Sequence, residues 1–184
     1  MRFSKQKILT WTLLIISFFF SLPASAQIAQ SKSIANVVVQ DQDGSEQYFY
    51  EAMIKDKLVA INFIFTRCEM VCPISGFKFS QIRKVVRARP DIELELISVT
   101  TDAVYDTSER LKAWADRFGS GPGWSQVTGD KLVIDGLLKS IEAFSVDKLD
   151  HTTLILLVND RLDQYKWIDG NSSVDSILLA AANW

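Results

Sequence analysis

The feature that most constrains the fold is an almost uninterrupted apolar run, LVAINFIF, at residues 58–65. Such a run is typical of a central strand that is covered on both faces. Alternating apolar and acidic residues predict a second strand at Ile92–Val99. Between the two, apolar residues at helical spacing predict a helix from Pro73 to Arg89. The sequence therefore predicts an α/β fold with helices on both faces of a sheet.

The rest of the chain continues this alternation. Asp43-Gly44 predicts a hairpin turn within residues 37–50, and Asp106 is predicted to cap a helix that runs to Phe118. The remaining predicted elements are a loop at Gly119–Gly123, a helix at Lys131–Phe144, a strand at Thr152–Val158, an edge strand at Gln164–Ile168 and a helix at Val174–Ala181. No internal repeat or second linker separates them, so we predict one domain over residues 34–184.

The first 26 residues read as a secretory signal. Three basic residues precede an apolar run from Ile8 to Leu22, and Ala24-Ser25-Ala26 provides small residues before a cut at Gln27. The apolar run would span about 22 Å as a helix, less than a hydrocarbon core of about 30 Å, which favours cleavage. We predict a linker at residues 27–33 and an exported, periplasmic domain. The alternative is an uncleaved anchor that holds the domain at the membrane, facing the periplasm.

Composition and charge exclude several classes of protein. The chain has 184 residues, 48% of them hydrophobic, which excludes a disordered chain. The net charge is −2, and it becomes −5 without the three basic residues of the first 26, so nothing favours a nucleic-acid partner. Two cysteines form at most one bridge, which excludes a disulfide framework. With a single histidine in the chain, the candidate ligands for a soft metal are few.

The cysteines stand in FTRCEMVCP, residues 65–73, between a predicted strand and a predicted helix. Residues four apart on a helix share a face, so the sulfurs of Cys68 and Cys72 can converge on one ligand. A helix N-terminus favours thiolates, and Pro73 suits the first turn. Thiolates are nucleophiles and ligands for ions such as Cu(I) or Zn. The alternative is an inert structural disulfide or two buried thiols.

His151 precedes the predicted strand at residues 152–158. Junctions between strands and loops gather ligands in α/β folds, and two thiolates with one imidazole suit Cu(I). The alternative is an ordinary histidine with no ligand. Met70 lies off the face shared by the cysteines, so it is predicted to pack rather than to bind metal. Phe77 is expected in the core. Trp124 stands in the Gly-rich loop, and the sequence leaves open whether it is buried or exposed to a partner.

Several stretches together resemble the Sco/SenC family of copper-binding thioredoxin-like proteins. The resemblance is collinear over most of the exported domain. It rests on Asp43-Gly44, INFIFTRCEMVCP at residues 61–73, SVTTDAVYDTSERLKAWADRFG at residues 98–119, GPGWSQVTGD at residues 121–130 and LDHTTLILLVND at residues 149–160. It implies a thioredoxin-like fold with a central mixed sheet and helices on both faces.

The resemblance also implies a function. It implies that Cys68, Cys72 and His151 bind copper, and that copper or electrons pass to the binuclear copper centre of cytochrome c oxidase, or to another copper or thiol client. Asp102 falls on the family's acidic loop position, which implies a place near the site; the alternative is a solvated loop aspartate. The chain departs from the family at Glu69, where Pro is frequent, and after Asp102, where Ala103 replaces the usual Pro. Many members also keep a membrane anchor.

Two other activities use the same thiols. In a thiol–disulfide oxidoreductase, Cys68 would attack a disulfide and Cys72 would resolve the mixed disulfide. Ordinary thioredoxins resemble one another in having a cis-proline before the corresponding strand, whereas this chain has Asp150-His151 there. A peroxidatic cysteine needs a threonine in its loop and a supporting arginine. Here Thr66 and Arg67 directly precede Cys68, which is the wrong spacing for that pattern. The sequence therefore favours a copper metallochaperone, with thiol–disulfide exchange as the alternative.

Overall fold

The computed structural model describes residues 33–145 and 153–184. The predicted signal, and the linker apart from residue 33, lie outside these residues. The described strands are β1 (Val38–Asp41), β2 (Glu46–Tyr48), β3 (Leu58–Ile64), β4 (Leu94–Thr100), β5 (Trp124–Thr128), β6 (Leu154–Asn159) and β7 (Gln164–Asp169). The described helices are α1 (Val71–Ala88), α2 (Ser108–Asp116), α3 (Lys131–Ser140) and α4 (Val174–Ala182). None of the helices in this part of the chain is both long and apolar enough to cross a membrane.

The described strands form one mixed sheet in the order β2-β1-β5-β4-β3-β6-β7. Strands β3, β4 and β5 are parallel neighbours, and helices α1 and α2 connect them. Strands β1 and β6 join this parallel centre in the antiparallel direction, and β2 and β7 lie at the edges. The predicted α/β fold is confirmed, including the hairpin near the start of the domain and the edge strand near its end.

Side chains of β3 alternate between two cores, one on each face of the sheet. Ala60 and Ile64 contribute to a core with α1, α2 and α4, which we call the α1 face. Val59, Ile61 and Phe63 contribute to a core with α3, which we call the α3 face. Burial on both sides explains why this strand is apolar along nearly its whole length. Helices on both faces were predicted, and the two cores confirm them.

Two elements differ from the predictions from sequence. The second arm of the hairpin ends at Tyr48, where a π-helix, Phe49–Ile54, begins; it buries Phe49, Met53 and Ile54 against the α3 face. Strand β5 occupies a stretch for which no strand was predicted. Its Trp124 is buried and donates its indole N–H to the Ser98 hydroxyl at 2.9 Å. Because Gln126 on this strand is also buried, the hydrophobic pattern that would reveal a strand is absent.

The start of α2 also differs from the prediction. Thr107, not Asp106, is the N-cap, and its side chain accepts a hydrogen bond from the Arg110 amide. The Asp106 carboxylate is occupied elsewhere, because it accepts hydrogen bonds from Thr66 and Thr100. The helix begins one residue later than a cap at Asp106 would allow, and Asp106 is left facing the interior.

Candidate metal centre

The two cysteines lie where β3 leads into α1. Cys68 is in the connecting loop and Cys72 is in the first turn of α1. Both are buried, with 8% of Cys68 and 1% of Cys72 exposed, and both are in the thiol form. The Cys72 backbone N–H donates to the Cys68 sulfur at 3.2 Å. The structure thus brings together the two residues that the CxxxC motif singled out.

The two thiols have opposite electrostatic environments. Burial raises the pKa of Cys68, but hydrogen bonds from the Cys72 thiol and from the amides of Cys72, Met70 and Val71 outweigh it and lower the pKa overall. Burial is the largest cause that raises the pKa of Cys72, followed by its hydrogen bond to Cys68. The amides at the start of a helix stabilise a thiolate. Negative charge is therefore favoured on Cys68, while Cys72 keeps its proton.

A buried carboxylate holds the start of the cysteine loop. Asp106 is 1% exposed, and it accepts hydrogen bonds from the Thr66 amide at 3.1 Å and the Thr66 hydroxyl at 2.5 Å. The Thr100 hydroxyl donates to the same carboxylate at 2.6 Å. Burial raises the pKa of Asp106, and these hydrogen bonds lower it only in part. The loop two residues before Cys68 is thereby tied to the end of β4.

A second carboxylate holds the next residue of the loop. Asp102 is buried, and its side chain lies 2.6 Å from the Arg67 guanidinium. The Arg67 guanidinium also lies over the ring of Tyr105, and the Arg110 guanidinium lies over the same ring. The alternative of a solvated loop aspartate is therefore wrong for Asp102, and its place beside the cysteine loop follows from its bond to the residue before Cys68.

Two apolar side chains, one just before α1 and one within it, are exposed. Met70 was expected to pack and Phe77 to lie in the core, but 78% of Met70 and 58% of Phe77 are exposed. Both predictions are wrong, because α1 turns Cys72, Phe79 and Ile82 towards the sheet and presents the opposite side to solvent.

His151 lies outside the described residues, so its distance from the sulfurs is not defined. The topology nevertheless fixes where the next described strand begins. Strand β6 is antiparallel to β3, with Leu58 opposite Asn159 and Ile61 opposite Leu156. β6 therefore starts at the end of the sheet where β3 leads into the cysteine loop. Among residues 33–145 and 153–184, no three His, Cys, Asp or Glu side chains form a metal-binding group.

Sequence reasoning missed Thr66 and Asp106 as parts of this site, and Thr100 as their neighbour at the end of β4. Thr66 and Asp106 are 40 residues apart, so no local periodicity connects them. The one available signal was a polar residue directly after each of two predicted parallel strands, since the carboxyl ends of parallel strands meet at one edge of the sheet.

A central strand that leads into a CxxxC motif at the start of a helix, within a mixed sheet, defines a protein of the thioredoxin-like fold. The SCO1/SenC family model matches residues 33–184 of the chain. The chain belongs to the SCO1/SenC family. This confirms the family that the sequence motifs indicated.

Relatives and solved structures agree with this assignment. A SCO1 protein homolog of Bacillus subtilis (strain 168) is 27% identical over 150 residues, 76% of each chain. BsSco, a structure described by its disulfide switch and as a member of the Sco family of cytochrome c oxidase assembly proteins, is 25% identical, with a TM-score of 0.68 over 82% of this chain and 94% of that one.

Two further structures share the fold. A SCO1/SenC family lipoprotein from Bacillus anthracis str. Ames is 20% identical, with a TM-score of 0.71 over 85% of this chain and 96% of that one. Yeast Sco1 with copper bound is 20% identical, with a TM-score of 0.68 over 83% of this chain and 94% of that one. At these identities the likeness establishes the thioredoxin-like fold.

Proposed function

We propose that this protein is an exported copper metallochaperone that carries one copper ion between Cys68, Cys72 and His151. The observation that carries the proposal is the contact of the two cysteines at the start of α1, where the Cys72 amide bonds the Cys68 sulfur at 3.2 Å. Two adjacent sulfurs are a donor set that favours Cu(I) over harder ions. Copper bound to the related yeast Sco1 supports the same cargo.

The direction of β6 supports His151 as the third ligand. β6 starts at the cysteine end of the sheet, and Thr153, just before it, accepts a hydrogen bond from the Gly170 amide at 2.9 Å. Two extended residues span about 7 Å, which limits how far His151 can lie from this anchored point. No other histidine exists in the chain to supply an imidazole.

A site with three protein ligands suits transfer better than storage. The open side of the ion would accept a thiolate from a partner, and stepwise exchange would then move copper without releasing it to water. We propose a copper-centre protein as the client, such as the subunit of cytochrome c oxidase that carries the binuclear copper centre. The description of BsSco as a member of a family of oxidase assembly proteins supports this client.

Export remains part of the proposal. The basic, apolar and small residues of positions 1–26 support secretion with cleavage before Gln27, into the periplasm. The related Bacillus anthracis protein is a lipoprotein, which supports an exported location and keeps membrane attachment as the alternative. The mass of the mature protein from a membrane-free periplasmic fraction distinguishes the two.

Anaerobic Cu(I) titration of the purified protein against a chromogenic chelator tests the metal site. We expect one copper per monomer in the wild type, none retained by Cys68→Ser or Cys72→Ser, and weaker binding by His151→Ala. Removal of one of three ligands leaves a site that competes poorly for Cu(I).

Met70→Leu is the matched control, because Met70 is an exposed sulfur between the two cysteines. It should bind one copper with wild-type affinity. Unchanged stoichiometry in Cys72→Ser, or a loss in Met70→Leu equal to that in His151→Ala, would contradict the proposed ligand set.

Thiol–disulfide exchange is a second candidate, favoured by the unequal burial of the two sulfurs. Cys68 is the more exposed of the pair, and amides at the start of α1 face its sulfur. Its thiolate could attack a partner disulfide, and Cys72 would then displace the partner thiol to leave a Cys68–Cys72 disulfide and a reduced partner. Insulin reduction by the metal-free dithiol protein tests this: rapid turnover supports exchange, and turnover no faster than free dithiol excludes it.

A further inference from the structure

Asp106 is a buried carboxylate that has no part in the ligand set proposed above. Asp106 is almost completely enclosed, yet its carboxylate receives three donors: the Thr66 amide, the Thr66 hydroxyl and the Thr100 hydroxyl. A buried carboxylate costs free energy unless hydrogen bonds compensate it. Two of its three donors come from a single residue of the cysteine loop.

The backbone of Asp106 is held in place from two directions. Its amide donates to the Asp102 carbonyl at 2.8 Å, and its carbonyl accepts from the Thr128 hydroxyl at 2.7 Å. Thr128 is the last residue of β5, and Thr100, which binds the carboxylate, is the last residue of β4. Asp106 is therefore fixed to the carboxyl ends of β4 and β5, independently of the cysteine loop.

The cysteine loop connects Asp106 to both cysteines through Thr66 and its neighbour Phe65. Phe65, next to Thr66, accepts a hydrogen bond from the Cys68 amide at 3.1 Å. The Phe65 backbone is also a hydrogen-bond partner of the Cys72 side chain. A displacement of Thr66 would therefore move the residue that contacts both cysteines.

We infer that Asp106 is a positioning residue, which sets the geometry of the Cys68–Cys72 pair through its hydrogen bonds to Thr66. The metal consequence rests on the proposed function, whereas the thiol consequence does not. Groups that orient metal ligands from outside typically change metal affinity by about 10–100-fold when they are removed. Asp106 acts on the ligands only through the loop, so it is not itself a ligand.

Thr66→Val and Thr100→Val form a matched pair that tests the inference. Each removes one hydroxyl donor from the Asp106 carboxylate, at 2.5 Å and 2.6 Å respectively, but only Thr66 belongs to the cysteine loop. Two readouts are taken on the full protein: the alkylation rate of Cys68 by iodoacetamide in the metal-free dithiol form, and Cu(I) affinity by chelator competition.

We expect Thr66→Val to change the alkylation rate and to weaken Cu(I) binding by about tenfold, at the lower end of the outer-ligand range. Both valine variants should lower the urea midpoint of unfolding by similar amounts, because each removes one hydroxyl donor from Asp106. Thr100→Val should leave the alkylation rate and the Cu(I) affinity within about twofold of wild type. Thr66→Ser keeps the amide and the hydroxyl, and should restore wild-type values.

Equal effects of the two valine variants on alkylation would overturn the inference, since Asp106 would then serve stability alone. Wild-type alkylation in Thr66→Val would overturn it as well. If Thr66→Val does not fold, Asp106→Asn replaces it, and an unchanged alkylation rate there has the same meaning. If the wild type binds no Cu(I), the proposed function fails, but the alkylation comparison still decides the role of Asp106.

Discussion

The two faces of the sheet bury different kinds of side chain, although the same strands supply them. On the α3 face, the described buried side chains of β3, β4 and β5 are all apolar, namely Val59, Ile61, Phe63, Ile97, Val99 and Val127. On the α1 face, the same strands alternate apolar residues with buried polar ones, namely Asn62, Ser98, Thr100, Gln126 and Thr128.

Two of the polar residues of the α1 face form specific hydrogen-bonded pairs. Ser98 accepts from the Trp124 indole, and Asn62 donates to Ser75, three residues after Cys72 in α1. Apolar contacts tolerate small shifts, whereas a satisfied buried hydrogen bond specifies one arrangement. The comparison teaches that the α3 face supplies general stability, while the α1 face supplies the placement of the cysteines.

Leu137→Ala gives the largest expected effect and tests the α3 face alone. Leu137 is fully buried in that core, so its truncation should lower the free energy of unfolding by about 2–5 kcal/mol. Urea unfolding measures this loss, and Cu(I) titration of the folded variant should still give the wild-type stoichiometry. A folded Leu137→Ala protein with lost copper binding would show that the two faces are not separable in this way.

Two glycine-to-alanine variants, one on each face of the sheet, should change the free energy of unfolding in opposite directions. An added Cβ at Gly76 in α1 would lie 2.7 Å from the Phe118 ring and 2.9 Å from Trp114, so Gly76→Ala should destabilise by about 1–3 kcal/mol. Gly136 in α3 has nothing within 4 Å, so Gly136→Ala should stabilise by about 0.5–1 kcal/mol through helix propensity.

Thermal unfolding of the two glycine variants side by side is the measurement. Equal stabilisation by both alanines would mean that α1 does not need a glycine for its close approach to α2. Destabilisation by Gly136→Ala would mean that the space beside α3 is filled.

The smallest expected effect is a pH dependence that belongs to the α1 face. Burial raises the folded-state pKa of Asp106 above its ordinary value of 3.8, so the folded state binds more protons than the unfolded state in the window above that value. The free energy of unfolding therefore decreases as pH rises through this window, and the contribution is constant at higher pH.

Asp106→Asn lacks this ionisation and serves as the reference. The unfolding free energy of the wild type minus that of Asp106→Asn, measured in urea from pH 4 upwards, should decline with pH. A difference that increases with pH would show that the hydrogen bonds from Thr66 and Thr100 outweigh burial.

Local patterns in the sequence were sufficient for most of the α3 face, but not for its π-helix at Phe49–Ile54, and for part of the α1 face. β3 and α3 follow simple apolar patterns, and both were predicted close to their observed bounds. β5 was missed because Gln126 is buried on a face where apolar residues are the usual signal. Phe77 was misplaced because helical spacing identifies a stripe but does not say how much of it the neighbouring elements cover.

The candidate site also has one part that local sequence patterns predict and another part that they do not. The convergence of Cys68 and Cys72 follows from local spacing, and the structure shows it. The contacts of Asp102 with Arg67 and of Asp106 with Thr66 span 35 and 40 residues, so they depend on the pairing of β3 with β4. The role of His151 stays a prediction, since it lies outside the described residues.

The antiparallel pairing of β6 with β3 has a consequence for the order of assembly. β3, α1 and β4 are consecutive, so the parallel pairing of β3 with β4 beside the two cysteines can form once the chain has been made through Thr100, a little over half of its 184 residues. The pairing of β3 with β6, by contrast, requires the chain to be made as far as Asn159, the residue opposite Leu58. Contacts of such long sequence separation close slowly. A chain made from its N-terminus therefore contains both cysteines before β6, the strand that completes this side of the sheet, can pair with β3.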